Sequence, residues 1–392
     1  MSMRIVNIRQ VVTPIGHGAR TGPEMRELTI RTNSDIIIRD GMISEVVQAG
    51  SGHEEDVIVD ARGGVVIPGL VDAHTHMAMC QSEASRTPPC EMTMEKAHPS
   101  EMWADLSHRM ARNLRRVLRD GTTTVEIKCA QGIHDRDGLE SLTLIQHLIR
   151  SLPVRLVPTF LAGCLGECER DEGVSLLIRE TIPQIRRKHV AVFCDVLCGD
   201  EGFSVGEAQT ILRAACGAGL RPKLHLDHAG GRTRMQLAAT MEVASVDHVT
   251  FGSPKSLQAL RDAAVVPVIL PGQSLLEDRP YPDGRALIDA ELAVAVATDH
   301  ALMGEGFGSV WVATALAVKK SGLSPEEALT SITLNAAAAL EMADRIGSVE
   351  PGKVADLVIL DVEDYREAIG ALGPAPVRAV IARGGVAYCA SE

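Results

Sequence analysis

Aromatic residues are scarce in this sequence, which contains two Trp, three Tyr and five Phe among 392 residues. A core with so few rings must be built from Val, Leu, Ile, Ala and Met. Cysteine is sparse too, with nine residues, which excludes a disulfide scaffold and fits a reducing compartment. Two C-x3-C pairs, Cys164/Cys168 and Cys194/Cys198, lie beside apolar stretches, so we interpret them as unpaired structural thiols.

Positive charge and long apolar runs are also lacking. Lys and Arg total 39 against 51 Asp and Glu, a formal net charge of -12. A protein that binds nucleic acid or a membrane surface needs concentrated positive charge, so we expect neither as a partner. No stretch approaches the ~20 apolar residues that span a bilayer, and the N-terminus has no apolar segment of signal-peptide length. We therefore expect a cytoplasmic protein, assembled as a homodimer, that acts on a small molecule.

The order of apolar strands and helical stretches predicts the fold class. Between residues 67 and 344, short apolar strands alternate with amphipathic helical segments, which is typical of an α/β (β/α)8 barrel of the TIM type. Residues 1–66 and 345–392 carry short β-type runs separated by turns such as Asp40-Gly41. We predict that these two ends pair into one small β-sandwich domain beside a 67–344 barrel.

The segment Pro68–His76 (PGLVDAHTH) carries the first chemical signal. Side chains at i and i+2 of a strand point to the same side, so His74 and His76 project together. They would lie at the carboxyl end of the first barrel strand, where barrel active sites are built, and form half of a metal site. An isolated H-x-H is more often a pair of surface histidines, but this one ends an apolar strand introduced by Pro-Gly.

The other predicted ligands also close apolar strands. His225 ends Lys223-Leu224-His225, and Asp299 ends Val296–Asp299. Three imidazoles and one carboxylate leave a position for water, as in catalytic rather than structural sites, and suit Zn2+ and Fe2+ alike. His248 closes a further strand and is the natural proton carrier, with an ordinary core histidine as the alternative.

Together these strings resemble the amidohydrolase superfamily, and within it the imidazolonepropionases, which open a five-membered cyclic amide. The similarity extends over residues 57 to 387. It includes the strings Gly121–Lys128, Asp195–Ser204, Lys223–Asp227, Val246–His248, Leu270–Gly272, Arg285–Asp289, Gly347–Lys353 and Ala355–Ile359. The resemblance implies that one divalent ion is held by His74, His76, His225 and Asp299. It also implies that Asp299 accepts a proton from water and that His248 is catalytic, while we interpret Lys128 as structural.

The sequence departs from this family at the positions that hold the substrate. Glu83, Gln131 and Cys164 replace the Arg, Tyr and His of imidazolonepropionases, and His228 stands where the family has Glu or Gln. A small shift of the alignment would bring Arg86 to the position of Glu83. Because three separate positions differ, we favour a changed substrate, with these five residues as candidate substrate contacts.

Three functional hypotheses follow. The first is a metal-dependent hydrolase that opens a small, imidazolone-like cyclic amide on an altered substrate. The second is an aminohydrolase, or deaminase, of a small N-heterocycle, which needs the same metal and proton carrier. The third is a non-catalytic relative of the same fold, which the presence of all four ligands and His248 disfavours.

Overall fold

The computed structural model describes residues 2–51, 55–78, 99–131, 136–163, 170–200, 202–226, 232–301 and 308–390. The strands in these ranges are β1 (Ser2–Pro14), β2 (Leu28–Arg39), β3 (Met42–Gln48), β4 (Val57–Asp60), β5 (Val65–Pro68), β6 (Leu70–Asp72), β7 (Thr75–His76), β8 (Thr122–Gln131), β9 (Arg155–Ala162), β10 (Phe193–Cys198), β11 (Arg221–Leu226), β12 (Ser245–Asp247), β13 (Val266–Ile269), β14 (Ala295–Val296), β15 (His300–Ala301), β16 (Leu357–Leu360), β17 (Val377–Ala382) and β18 (Gly385–Cys389).

The helices alternate with these strands along the central part of the chain. They are α1 (Pro99–Arg119), α2 (Arg136–Ser151), α3 (Arg170–Leu176), α4 (Ile182–Lys188), α5 (Val205–Gly217), α6 (Arg232–Thr240), α7 (Pro254–Asp262), α8 (Pro271–Leu276), α9 (Gly284–Asp289), α10 (Val310–Lys320), α11 (Pro325–Ser331), α12 (Leu334–Ala339) and α13 (Tyr365–Ile369). A 3-10 turn at Gly22–Arg26 and a π-helical turn at Leu177–Thr181 complete the set. None of the helices described is long and apolar enough to cross a membrane.

Eight parallel strands form the barrel sheet, in the order β14, β13, β12, β11, β10, β9, β8 and β6. Short strands such as Val266–Ile269 are buried along their whole length, as expected for parallel strands covered on both faces. Most of the apolar core lies between this sheet and the surrounding helices. A smaller cluster joins Val157 and Phe193 of the strands to Ala336 and Ala337 of α12. The predicted barrel is confirmed.

Side chains and short strands close the barrel between its first and last strands. Thr298 donates to Asp72 through its backbone N–H (3.1 Å) and its hydroxyl (2.6 Å). One residue further on, the Asp299 N–H donates to the His74 carbonyl at 3.1 Å, and β15 then pairs in parallel with β7. The chain segments that carry His74, His76 and Asp299 are therefore held side by side at the carboxyl end of the barrel.

The two ends of the chain pair into one β domain, as the sequence predicts, and their strands form a second sheet of eight strands. β5 pairs with β1 on one side and with β16 on the other, which joins the N-terminal and C-terminal strands. Asp40 and Gly41, at the β2–β3 turn, have φ of 51° and 80°, the positive values of the Asp-Gly hairpin turn. The division of the chain at residues 66/67 and 344/345 stays a prediction.

Gly69 links this sheet to the barrel, and its lack of a side chain has a packing reason. A Cβ atom at Gly69 would lie 2.8 Å from Cγ2 of Thr123, which is buried, and would overlap the hydroxyl. We expect Gly69→Ala to lower the free energy of unfolding by about 1–3 kcal/mol, as overpacking does, in chemical denaturation. Gly206→Ala is the matched control, because no atom of the described residues lies within 4 Å of a Cβ there and α5 should gain up to about 1 kcal/mol. Equal stability of the two variants would contradict this account.

Candidate metal centre and active site

Three side chains from the barrel seam converge on one point. His74 Nε2 lies 3.1 Å from His76 Nε2, and Asp299 Oδ1 lies 3.2 Å from the first nitrogen and 3.3 Å from the second. His74 is fully buried, while His76 and Asp299 retain 15% and 16% side-chain exposure. The cluster is therefore closed at His74 and partly exposed at His76 and Asp299.

His225 and His248 complete the group. Potential ligand atoms of His74, His76 and His225 lie within 4.8 Å of one another, as do those of His74, His248 and Asp299. The ring centroids of His225 and His248 are 4.3 Å apart, and those of His74 and His248 are 5.1 Å apart. The five residues singled out from the sequence as metal ligands or proton carrier thus lie together in the structure.

Left-handed backbone at two strand ends explains why neighbouring side chains share this site. His248 has φ of 63° and Asp299 has φ of 58°, which is uncommon for residues other than glycine. In an extended strand Asp247 and His248 would point to opposite faces. Here Asp247 contacts His74, and His248 also lies beside that ring. Such strained positions cluster at functional sites, where surrounding contacts hold them.

A buried layer of charge lies directly behind the histidines. His74 Nδ1 donates to Asp247 Oδ2 at 2.7 Å, and His225 Nδ1 lies 3.4 Å from Asp195 Oδ2. The Lys128 ammonium lies 2.7 Å from both of these carboxylate oxygens. Carboxylates of this kind fix the orientation and tautomer of metal-binding imidazoles.

A second ion pair continues this layer into the barrel interior. Lys223 Nζ donates to Glu126 Oε2 at 2.7 Å, and Thr159 donates to Glu126 Oε1 at 2.6 Å. Glu126 Oε2 also lies 3.5 Å from Lys128 Nζ. The side chains of both lysines and of Glu126 are fully buried, which is rare for charged groups unless they are paired.

The electrostatics of the site favour positive charge where the ligand atoms meet. Burial and the Lys128 ammonium lower the pKa of His74, but the Asp247 and Asp299 carboxylates outweigh them and bring it to about 9. Burial raises the pKa of Asp299, yet its contacts with His74 and His76 hold it well below the usual range. Asp299 is therefore a carboxylate at neutral pH.

A divalent cation fits this arrangement. Asp299 Oδ1 is buried and accepts no hydrogen bond from any residue in the described ranges. His74 gives its Nδ1 hydrogen to Asp247, so a cation that displaces the Nε2 proton meets a lone pair directed toward His76 and Asp299. Ligand atoms about 2.1 Å from one ion lie about 3.0–3.4 Å from each other, and the three measured separations fall in this interval.

The predicted substrate contacts cannot be placed beside this centre. Glu83, Arg86, Cys164 and His228, and the side chain of Gln131, lie outside the described residues.

Sequence reasoning missed Asp247 and Asp195 as partners of the histidines, and Asp72 as part of the seam. The available signal was an aspartate inside an apolar strand, since a buried charge requires a partner.

Comparison with known proteins identifies relatives over nearly the whole chain. The profile described as "Amidohydrolase family" matches residues 208–387. The chain is 35% identical to the imidazolonepropionase of Solibacter usitatus, with 98% of each chain covered. It is also 35% identical to the imidazolonepropionase of Bacteroides fragilis strain YCH46, with 91% of this chain and 92% of that protein covered.

Solved structures share the fold at lower identity. An adenosine deaminase from Xanthomonas campestris with bound zinc superposes with a TM-score of 0.75 at 18% identity, covering 98% of this chain and 92% of that chain. At this identity the likeness establishes the fold alone.

Proposed function

The chain belongs to the amidohydrolase family, as an imidazolonepropionase-like hydrolase of non-peptide C–N bonds, and from this premise we propose that it opens the ring of a small cyclic amide. The observation that carries the proposal is the convergence of three imidazoles and one carboxylate at the carboxyl end of the barrel. We assign His74, His76, His225 and Asp299 as holders of one divalent ion, Zn2+ or Fe2+.

The residues of this site divide the chemistry among them. When bound, the ion supplies a Lewis acid for the scissile carbonyl and lowers the pKa of water. Asp299 has one oxygen directed at His74 and His76, and its second oxygen, Oδ2, is assigned to accept a proton from the attacking water. An amide nitrogen leaves only when protonated. The protonated imidazole of His248 is assigned to stabilise the developing oxyanion and to donate its proton to this nitrogen, and the proton taken up by Asp299 then restores the imidazole.

We propose further that the substrate does not place a carboxylate where imidazolonepropionases bind one. Arg recognises carboxylates through two charge-assisted hydrogen bonds, whereas Glu83 would repel such a group and Gln131 and Cys164 add no positive charge. A ring substrate whose side group is neutral or cationic would avoid this repulsion from Glu83. Action on a small molecule, a cytoplasmic location and a homodimer stay predictions.

A matched pair of compounds tests both proposals. We expect ring opening of imidazolonepropionamide, the neutral analogue, with kcat/KM at least equal to that of imidazolonepropionate, because the analogue lacks the repelled charge. Mass spectrometry of the product should show the substrate plus one water, without free ammonia.

The opposite results are equally clear. A preference of about tenfold or more for the acid, lost in Arg86→Ala, would show that Arg86 binds the carboxylate and that the family's substrate is retained. Stoichiometric ammonia would identify the deaminase of the second hypothesis instead.

A further inference from the structure

Lys128 contacts both of the carboxylates behind the histidines. Its ammonium lies 2.7 Å from Asp247 Oδ2 and 2.7 Å from Asp195 Oδ2. The first of these oxygens also accepts the Nδ1 hydrogen of His74, and the second lies 3.4 Å from Nδ1 of His225. One buried cation thus links two histidines that come from barrel strands on opposite sides of the lysine's own.

The two carboxylates depend on Lys128 to different degrees. Asp247 has a second partner, because the Ser245 hydroxyl donates to its Oδ1 at 2.8 Å. Asp195 Oδ1 is buried and has no hydrogen-bond partner among the residues that the structure describes. Without Lys128, the short contact of Asp195 disappears and only the longer one to His225 remains. The orientation of His225 should therefore be the more sensitive.

We propose that Lys128 is a positioning residue: it holds Asp195 and Asp247 against His225 and His74, so that both imidazoles present Nε2 to the same ion. This inference rests on the proposed metal site and adds a residue that does not itself contact ion or substrate. The ammonium also offsets the repulsion between two buried carboxylates that face the same nitrogen atom. Partners behind the ligands are commonly worth about 10- to 100-fold in metal affinity.

Lys223 provides a matched control. It carries the same charge and is equally buried, on β11 two residues before His225. Its short contact is with Glu126, 2.7 Å away, and Glu126 lies 3.5 Å from Lys128 but contacts neither His74 nor His225 in the contacts described. A methionine at either position keeps most of the side-chain length and removes the charge. A general loss of core stability would weaken Co2+ binding in both variants, whereas loss of histidine positioning should weaken it only in Lys128→Met.

The test uses Co2+ as the probe, with the full-length protein stripped of metal and reloaded. We expect Lys128→Met to weaken Co2+ binding by about 10- to 100-fold in competition with a chelator, and to change the visible ligand-field spectrum. Lys223→Met should lower the unfolding midpoint but bind Co2+ within about threefold of the native protein, with an unchanged spectrum. Equal losses in the two variants, or native affinity in Lys128→Met, would overturn the inference.

A double variant covers the case in which Lys128→Met does not fold. Removing one member of a buried pair costs far more than removing both. Asp247 also loses Lys128 but keeps its contacts with Ser245 and His74, so Lys128→Met/Asp195→Asn should fold. The inference predicts weakened Co2+ binding and an altered spectrum in this variant, and native behaviour would refute it. If the native protein itself binds no Co2+, the proposed metal site fails and the inference fails with it, whereas native-like binding by the variants refutes the inference alone.

Discussion

Chelation of the purified protein should abolish turnover, and one equivalent of Zn2+ or Fe2+ per chain should restore it. The reason is the geometry of the site, in which two imidazole nitrogens and a carboxylate oxygen lie 3.1–3.3 Å apart. Without an ion, these groups cannot polarise the scissile carbonyl or lower the pKa of water. Elemental analysis before and after chelation, paired with activity, checks the expectation. Intact activity in metal-free protein would show that the cluster is not a metal site.

Two variants separate loss of the ion from loss of fold. Asp299→Asn keeps the shape of the side chain but removes its charge, so we expect metal content and activity to fall together. His300→Gln alters the next residue in the chain. The His300 ring lies beside Gly308, because a Cβ atom built on Gly308 would be 3.1 Å from Cε1 of that ring. The His300 variant should retain metal. If both variants lose metal equally, the effect belongs to the local backbone rather than to Asp299.

Much of the fold was predictable because each element carries its own signal. Buried parallel strands such as Phe193–Cys198 appear as short apolar runs, and the Asp40-Gly41 turn identifies its hairpin by the positive φ it requires. The π-helical turn at Leu177–Thr181, between α3 and α4, was not predicted.

The residues assigned to hold the ion could be predicted from the sequence, but the buried charged residues that contact them could not. His74 and His76 follow from the two-residue period of a strand, and Asp299 from its place at a strand end. The contacts of Lys128 with Asp195 and Asp247 join residues that lie 67 and 119 positions apart in sequence, and no local pattern encodes such pairings. The left-handed backbone at His248 could not be predicted either, because a histidine in a sequence does not indicate positive φ as a glycine does.

Replacing His248 by Asn should lower kcat by about 100-fold or more, the range of general acid–base residues, and leave the metal content unchanged. Asn is chosen because it tolerates the left-handed backbone that His248 adopts at φ 63°, so the strand end keeps its conformation. The amide cannot carry a proton to the leaving nitrogen, which is the step assigned to the imidazole.

His189 supplies the control for this experiment. It is also a histidine in the left-handed region, with φ of 51°, but it is exposed at the C-terminal end of α4, away from the site residues. His189→Asn therefore makes the same chemical and backbone change without touching the cluster, and should keep native kcat. Near-native turnover in His248→Asn would make His248 an ordinary packed histidine. Loss of the ion from that variant would make it a ligand, since its potential ligand atom lies within 4.8 Å of those of His74 and Asp299.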